Sequence, residues 1–237
     1  YIFTKYSANF DTKITKLIEF DTATVSNGLG ALQVRDDSYG YTGPNIRYLS
    51  PQFGPRVGVA VTGRMDTTSP GTEENESLFV QWLEEFIKQS EAEGGEPIPV
   101  FAVLESVGLR PEYTVTIGDG MGTRMMLAGA VGFITNGCVR DIEGLRNVPL
   151  PCWGAGLSPM HGQIRWLDIN SPVVIDGMTV KTGDFIHADE NGSVVIPRNV
   201  ADQVYDEAKK VQDGEAELFK TMGSPDFNIK KWIAENK

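Results

Sequence analysis

Val131-Gly132-Phe133-Ile134-Thr135-Asn136-Gly137-Cys138-Val139-Arg140-Asp141 decides how this chain is to be folded on paper. Residues 131–135 are apolar and β-branched, which suits a buried strand, and Asn136-Gly137 is a turn signal that ends it. Arg140-Asp141 follows, with Asp141 in position to cap a helix over 142–147. Just upstream, 113–117 reads as another strand. Gly118-Asp119-Gly120-Met121-Gly122 then turns into a helix over 123–129.

Working outward, the alternation continues. Residues 57–62 and 100–104 are strand candidates. Between them, 75–90 carries Leu78, Phe79, Trp82, Leu83, Phe86 and Ile87, the spacing of a wide apolar helical face. That helix is expected to end at Gly94-Gly95-Glu96-Pro97. Toward the N-terminus, 12–20 and 22–33 read as short helices, the second capped by Asp21 or Thr22, and 36–56 is irregular. Toward the C-terminus, 173–175, 184–188 and 193–196 form a β-rich block with Asp176-Gly177 and Asn191-Gly192 as hairpin turns. Val200, Val204, Tyr205, Ala208 and Val211 mark an amphipathic helix, and 215–236 reads as one or two more. Strands separated by helices, then hairpins, imply an α/β class with mixed sheets in one domain over 1–237, with 212–237 as a helical tail.

The chain has 237 residues, 41% hydrophobic and 22% charged, within the range of one large globular domain. A net charge of −11 disfavours nucleic-acid phosphates as partners. Cys138 and Cys152 form no CxxC pair and sit in apolar or Gly-rich surroundings, so buried thiols are expected. The apolar stretch at 127–134 is too short to span a bilayer. With no basic-then-apolar leader after Tyr1, the expectation is a trimmed cytoplasmic protein, although a leader removed earlier would leave no trace.

His161 and His187 are the only histidines. One chain therefore cannot build a three-histidine zinc site, and HExxH, GxSxG and P-loop patterns are absent. Gly118-x-Gly120-x-Gly122 has the wrong spacing for a dinucleotide fingerprint. What is left is a set of carboxylates and an arginine. Asp119 is open to two readings, a plain N-cap in a Gly-rich turn or part of a ligand site at a helix N-terminus. Asp141 and Arg140 are open likewise, a helix cap and a surface ion pair or a site beyond the strand ends. If they act together, two carboxylates suit an oxygen-liking cation, Mg²⁺ or Mn²⁺, and Arg140 offers a fork for a carboxylate or enolate.

Gly118-Asp119 followed by the run from Gly129 to Asp141 resembles the RraA-like family, which includes the 4-hydroxy-4-methyl-2-oxoglutarate / 4-carboxy-4-hydroxy-2-oxoadipate aldolases. The family mark is D-x20-R-D, matched by Asp119, Arg140 and Asp141. Residues 21–29 (DTATVSNGL) resemble its N-terminal helix signature, and 181–197 its C-terminal block. The resemblance implies a swivelling β/β/α sandwich, with mixed sheets flanked by helices and a helical C-terminal tail, assembled as a homotrimer or homohexamer. It also implies a metal-dependent lyase that cleaves a C–C bond of a small 2-oxo (di)carboxylic acid to give pyruvate, by retro-aldol cleavage or oxaloacetate decarboxylation. Asp141 would bind Mg²⁺ or Mn²⁺ directly and Asp119 through water. Backbone N–H groups of Gly120, Met121 and Gly122, beside Gly118, would cradle the substrate carboxylate. Arg140 would stabilise the enolate.

The aldolases continue R-D-x2-E/D, whereas Gly144 stands at that last position here and Glu143 lies one place earlier. They also take an acidic residue from a neighbouring subunit's C-terminal helix, for which Glu215 is the nearest candidate. A water is the expected base, with His161 as runner-up and His187 structural. A Schiff-base lysine and a methyltransferase reading find little in the sequence. The competing class is a non-catalytic RraA-type regulator that binds a protein partner.

Overall fold

The computed structural model describes residues 13–69, 75–91 and 97–237. The chain opens with a 3-10 turn, Thr15–Glu19, and helix α1 (Thr22–Ala31), followed by strands β1 (Arg47–Tyr48) and β2 (Arg56–Asp66). Helix α2 (Glu76–Ser90) leads to β3 (Val100–Val107), β4 (Val115–Ile117), α3 (Asp119–Leu127), β5 (Ala130–Thr135), β6 (Cys138–Val139) and α4 (Ile142–Asn147). Short strands β7 (Cys152–Gly154) and β8 (Gly156–Leu157) precede β9 (Arg165–Ile169) and two hairpins, β10 (Val173–Ile175) with β11 (Met178–Val180) and β12 (Phe185–Asp189) with β13 (Gly192–Ile196). Helices α5 (Ala201–Met222) and α6 (Ile229–Glu235) close the chain.

The described residues form three sheets. The eight-stranded one runs β1-β7-β5-β3-β2-β12-β13, with β9 along the far end of β2. Its centre, β7-β5-β3-β2, is parallel, and the flanking pairs are antiparallel. This mixed α/β architecture is the one expected from the alternation of strands and helices. One face of the sheet, through Val59, Val61, Met65, Ala102, Leu104 and Phe133, packs against helices. The other, through Ala60, Phe101, Val103, Ile134 and Trp153, is covered by the β10-β11 hairpin, which supplies Val173, Ile175, Met178 and Val180. Burial of these side chains on both faces explains the near-continuous apolar strands. β4, β6 and β8 form a separate three-stranded parallel sheet.

Several boundaries shift from the sequence reading. Asp21 is the cap of α1, its carboxylate accepting from the Thr24 N–H at 2.7 Å. α2 buries Trp82 and Phe86 fully, and Trp82 donates its indole N–H to the Thr62 carbonyl at 3.0 Å. Ile87, expected on that apolar face, is exposed, because it lies five residues past Trp82 on the far side of the helix. Glu85 takes the buried place instead, held by Gln89 and Lys88. The Gly94-Gly95-Glu96 terminator and residue 12 lie outside the described residues. Cys138 and Cys152 are both buried free thiols. Among the described residues no helix is long and apolar enough to cross a membrane.

His187 is buried at the centre of β12, as a structural histidine should be. Its Nδ1 lies 2.9 Å from the Thr22 hydroxyl and its Nε2 3.1 Å from the Leu17 carbonyl, so the neutral ring donates to Leu17 and accepts from Thr22. Asp189 accepts from the Thr22 N–H, and the pair ties α1 to the sheet. Burial pushes the imidazole down from 6.5 to about 4. The unfolded chain therefore takes up this proton first. The associated stability is full above pH 6.5 and is lost, by on the order of 3 kcal/mol, as pH falls toward 4. Thermal unfolding from pH 7 to 4 should show that loss, and a His187→Asn variant should show a flatter profile over the same range. An unchanged profile in the variant would rule out His187 as its source.

Candidate functional site

The site grows from the pairing of two short strands. β4 and β6 are parallel, with Val115 opposite Cys138 and Ile117 opposite Val139. The Arg140 N–H donates to the Ile117 carbonyl at 3.0 Å, extending the pairing one residue past β6. Asp119 lies two residues beyond Ile117, and Asp141 two residues beyond Val139. Both carboxylates thus leave the C-terminal ends of neighbouring parallel strands, where open α/β sheets gather their ligands.

The chain reaches β6 through a crossing rather than a hairpin. The Asn136 side chain accepts from the Ser106 N–H at 2.6 Å and donates to the Ser106 carbonyl at 2.9 Å. This fixes the point at which the backbone leaves the large sheet after β5 and enters the small one. The Cys138 N–H then donates to the Thr114 carbonyl at 2.6 Å.

Neither aspartate is spent as a cap. Gly118, not Asp119, is the N-cap of α3, which begins four residues earlier than its expected start at 123. Asp141 does occupy the N-cap position of α4, but its side chain makes no capping bond. It adopts a left-handed backbone, φ 53° and ψ 41°, which costs a non-glycine residue on the order of 1 kcal/mol. Its Oδ2 lies 3.1 Å from Arg140 Nε.

Asp119, Asp141 and Arg140 line one hollow of about 240 Å³, together with Gly118, Gly120, Met121, Arg124, His161 and Ile164. Arg140 and Asp141 also wall a second hollow of about 360 Å³, with Ile142, Leu157, Ser158 and Pro159 on its other sides. The three residues that carry the family resemblance therefore do converge. Gly120 and Met121 sit in the first turn of α3, where backbone N–H groups have no helical acceptor. Gly122 differs, because its N–H already donates to the Gly118 carbonyl at 3.0 Å. Gly122 is instead a packing position against Leu145.

Two glycines are fixed by the carboxylates beside them. A Cβ on Gly118 would fall 2.6 Å from Asp141 Oδ2 and 3.1 Å from Arg140 Nε. A Cβ on Gly144 would fall 2.7 Å from Asp119 Cβ and closer still to its carboxylate. The space beside Gly144 is thus filled by Asp119 from the neighbouring helix. Glu143 is exposed on α4 and lines neither hollow.

Arg124 lines the hollow and was not singled out by sequence. With α3 starting at Asp119, Arg124 falls one turn beyond Gly120. Its Nη1 donates to the Gly120 carbonyl at 3.0 Å, which brings the guanidinium back toward the helix start. A helix beginning at 123 hides that geometry. His161 is exposed, its Nδ1 2.8 Å from the Gly162 carbonyl. Glu215 is exposed on α5 and lines neither hollow. Among the described residues no three His, Cys, Asp or Glu side chains cluster as a metal cage. Two carboxylates alone still fit Mg²⁺ or Mn²⁺, which keep waters in their other positions.

The clash at Gly144 gives a direct test. Gly144→Ala should cost on the order of 1–3 kcal/mol in denaturant unfolding, through overpacking against Asp119. In an Asp119→Gly background it should be neutral or stabilising, since alanine is the better helix former. The same cost in both backgrounds would show that the two residues do not touch.

Residues 22–195 match the family described as RraA-like, Aldolase/RraA. An uncharacterized protein of Methanocaldococcus jannaschii is 29% identical over 119 residues, covering 50% of this chain and 57% of that one. A Hahella chejuensis protein named "Putative 4-hydroxy-4-methyl-2-oxoglutarate aldolase" is 33% identical over 82 residues, covering 34% of this chain and 50% of that one. The chain spans about half the length of these curated relatives. Streptomyces coelicolor RraAS2, described as an unusual member of the RNase ES inhibitor RraA protein family, superposes with a TM-score of 0.69 at 22% identity over 89% of this chain and 98% of that one. At that identity the likeness concerns the fold alone.

Proposed function

This chain belongs to the RraA-like family, and we propose that within it the protein is a lyase dependent on Mg²⁺ or Mn²⁺, cleaving a C–C bond of a small 2-oxo acid to release pyruvate. One observation carries the reading. Two carboxylates and a guanidinium from neighbouring strand ends meet in one hollow, and neither carboxylate is used as a helix cap. A relative named as an aldolase supports the same class.

Asp141 would hold the ion directly and Asp119 through a water. Once bound, such an ion supplies Lewis-acid polarisation of the 2-oxo group. The protein's own residues do the remaining work. The open N–H groups of Gly120 and Met121, at the positive end of α3, orient the 1-carboxylate. Arg140, fixed against Asp141, donates toward the 2-oxo oxygen. As the C3–C4 bond breaks, its electron pair spreads over C3 and that oxygen, and the guanidinium offsets the charge as it develops. In a retro-aldol substrate the C4 hydroxyl loses its proton to water, with His161 within the same hollow as the alternative acceptor, and C4 leaves as a carbonyl. In oxaloacetate C4 leaves as CO₂. Protonation at C3 gives pyruvate.

In the assembly belonging to this reading, other copies of the chain complete the site, as a trimer or a pair of trimers. Glu215 is the acid a neighbouring subunit would bring. α5 suits such a role: beyond residue 212 it leaves the body of the protein, and Leu218 and Phe219 are uncovered.

A pyruvate-coupled assay with oxaloacetate and Mn²⁺ tests the proposal. Activity should vanish with a chelator and return with Mn²⁺. Arg140→Ala should lower kcat a hundredfold or more, in the range of a lost oxyanion donor, and Asp141→Ala should leave no metal-dependent rate. Full activity in either variant would refute the assignment.

A further inference from the structure

The hollow carries charges of both signs. Asp119 and Asp141 contribute two negative charges, and Arg140 and Arg124 two positive ones. Arg140 is already paired with Asp141 at 3.1 Å. Arg124 takes part in none of the ion pairs among the described residues. Among the described residues its one hydrogen bond goes to the neutral Gly120 carbonyl, which occupies a single N–H of its fork. Arg124 is exposed on α3, a helix turn past the backbone N–H groups of Gly120 and Met121.

We infer that Arg124 is a specificity-determining residue: it receives a second carboxylate, at the far end of the substrate, and restricts the site to dianionic 2-oxo acids. The inference rests on the lyase reading above for the 2-oxo acid and the divalent ion. With that ion in place the hollow carries a net charge of +2, which a 2-oxo dicarboxylate balances. A 2-oxo monocarboxylate leaves one positive charge over, and that charge is Arg124's. A guanidinium with free N–H groups accepts a carboxylate through two parallel hydrogen bonds, which a lysine cannot reproduce. Arg124 thus acts on binding and selection, separately from Arg140 at the reacting end.

Calorimetric binding in the presence of Mg²⁺ separates the two roles without any turnover. 2-Oxoglutarate and 2-oxopentanoate have the same five-carbon chain and differ in the terminal carboxylate. The wild-type protein should bind 2-oxoglutarate at least tenfold more tightly. Arg124→Gln should bring that ratio to within about twofold by weakening 2-oxoglutarate alone, and Arg124→Lys should keep part of it. As Arg124 is exposed, neither change disturbs the core, and unchanged 2-oxopentanoate binding reports an intact site. Equal affinity for the two acids in the wild type, binding of neither, or a preference that survives in Arg124→Gln would overturn the inference. A wild-type protein that shows the predicted preference but releases no pyruvate from any 2-oxo acid would sink the lyase reading and leave Arg124's role standing.

Discussion

The Arg140 N–H reaches the Ile117 carbonyl at 3.0 Å, and on that bond and the β4-β6 pairing behind it the placement of the whole site depends. The pairing is parallel, so the two strands end on the same side. Each then runs two residues to an aspartate and a helix. A one-residue slip of β6 against β4 would turn Arg140 and Asp141 to opposite faces and leave Asp119 alone. Register is held from outside the pair by the Asn136 side chain, clamped on both backbone groups of Ser106, and by the Cys138 N–H on Thr114.

Local conformation is given up to keep the carboxylates where they are. Asp141 stays in the left-handed region although its side chain gains no capping bond from doing so, and Gly118 is small because that carboxylate lies against it. On the other side, Asp119 uses the room left by Gly144. These are the signs of positions set by the site and tolerated by the fold. The core meanwhile is ordinary, with apolar side chains on both faces of the large sheet and a buried neutral histidine tying α1 to β12.

Much of the fold was legible because strand cores and helix faces repeat over many residues. β2, β3, β5 and the β12-β13 hairpin stand where apolar patterning puts them, and Asp176-Gly177 does form the turn of a hairpin, whereas α5 runs unbroken to Met222 through the break expected between 211 and 215. The two- and three-residue strands β1, β7, β8 and β11 carry too few residues for a period to show, and only tertiary pairing defines them. In the site, the residues alone left Asp119, Arg140 and Asp141 open to a plain capping or ion-pair role, and the family resemblance singled them out. Arg124 was hidden by a misplaced helix start, since glycines at 118, 120 and 122 weaken every local signal for a helix there. Gly122 was assigned to the cradle because its chain position is right, but its N–H is taken by the Gly118 carbonyl. The meaning of Gly144 appeared only with the side chain that lies over it.

The proposed activity requires a divalent ion shared by two aspartates from separate strand ends. Titrating Mn²⁺ into the wild-type protein while following the free-ion EPR signal measures this most directly. The wild type should take up one Mn²⁺ per chain, Asp141→Asn should lose it, and Asp119→Asn should bind at least tenfold more weakly. Equal uptake by all three proteins, or none by the wild type, would contradict it.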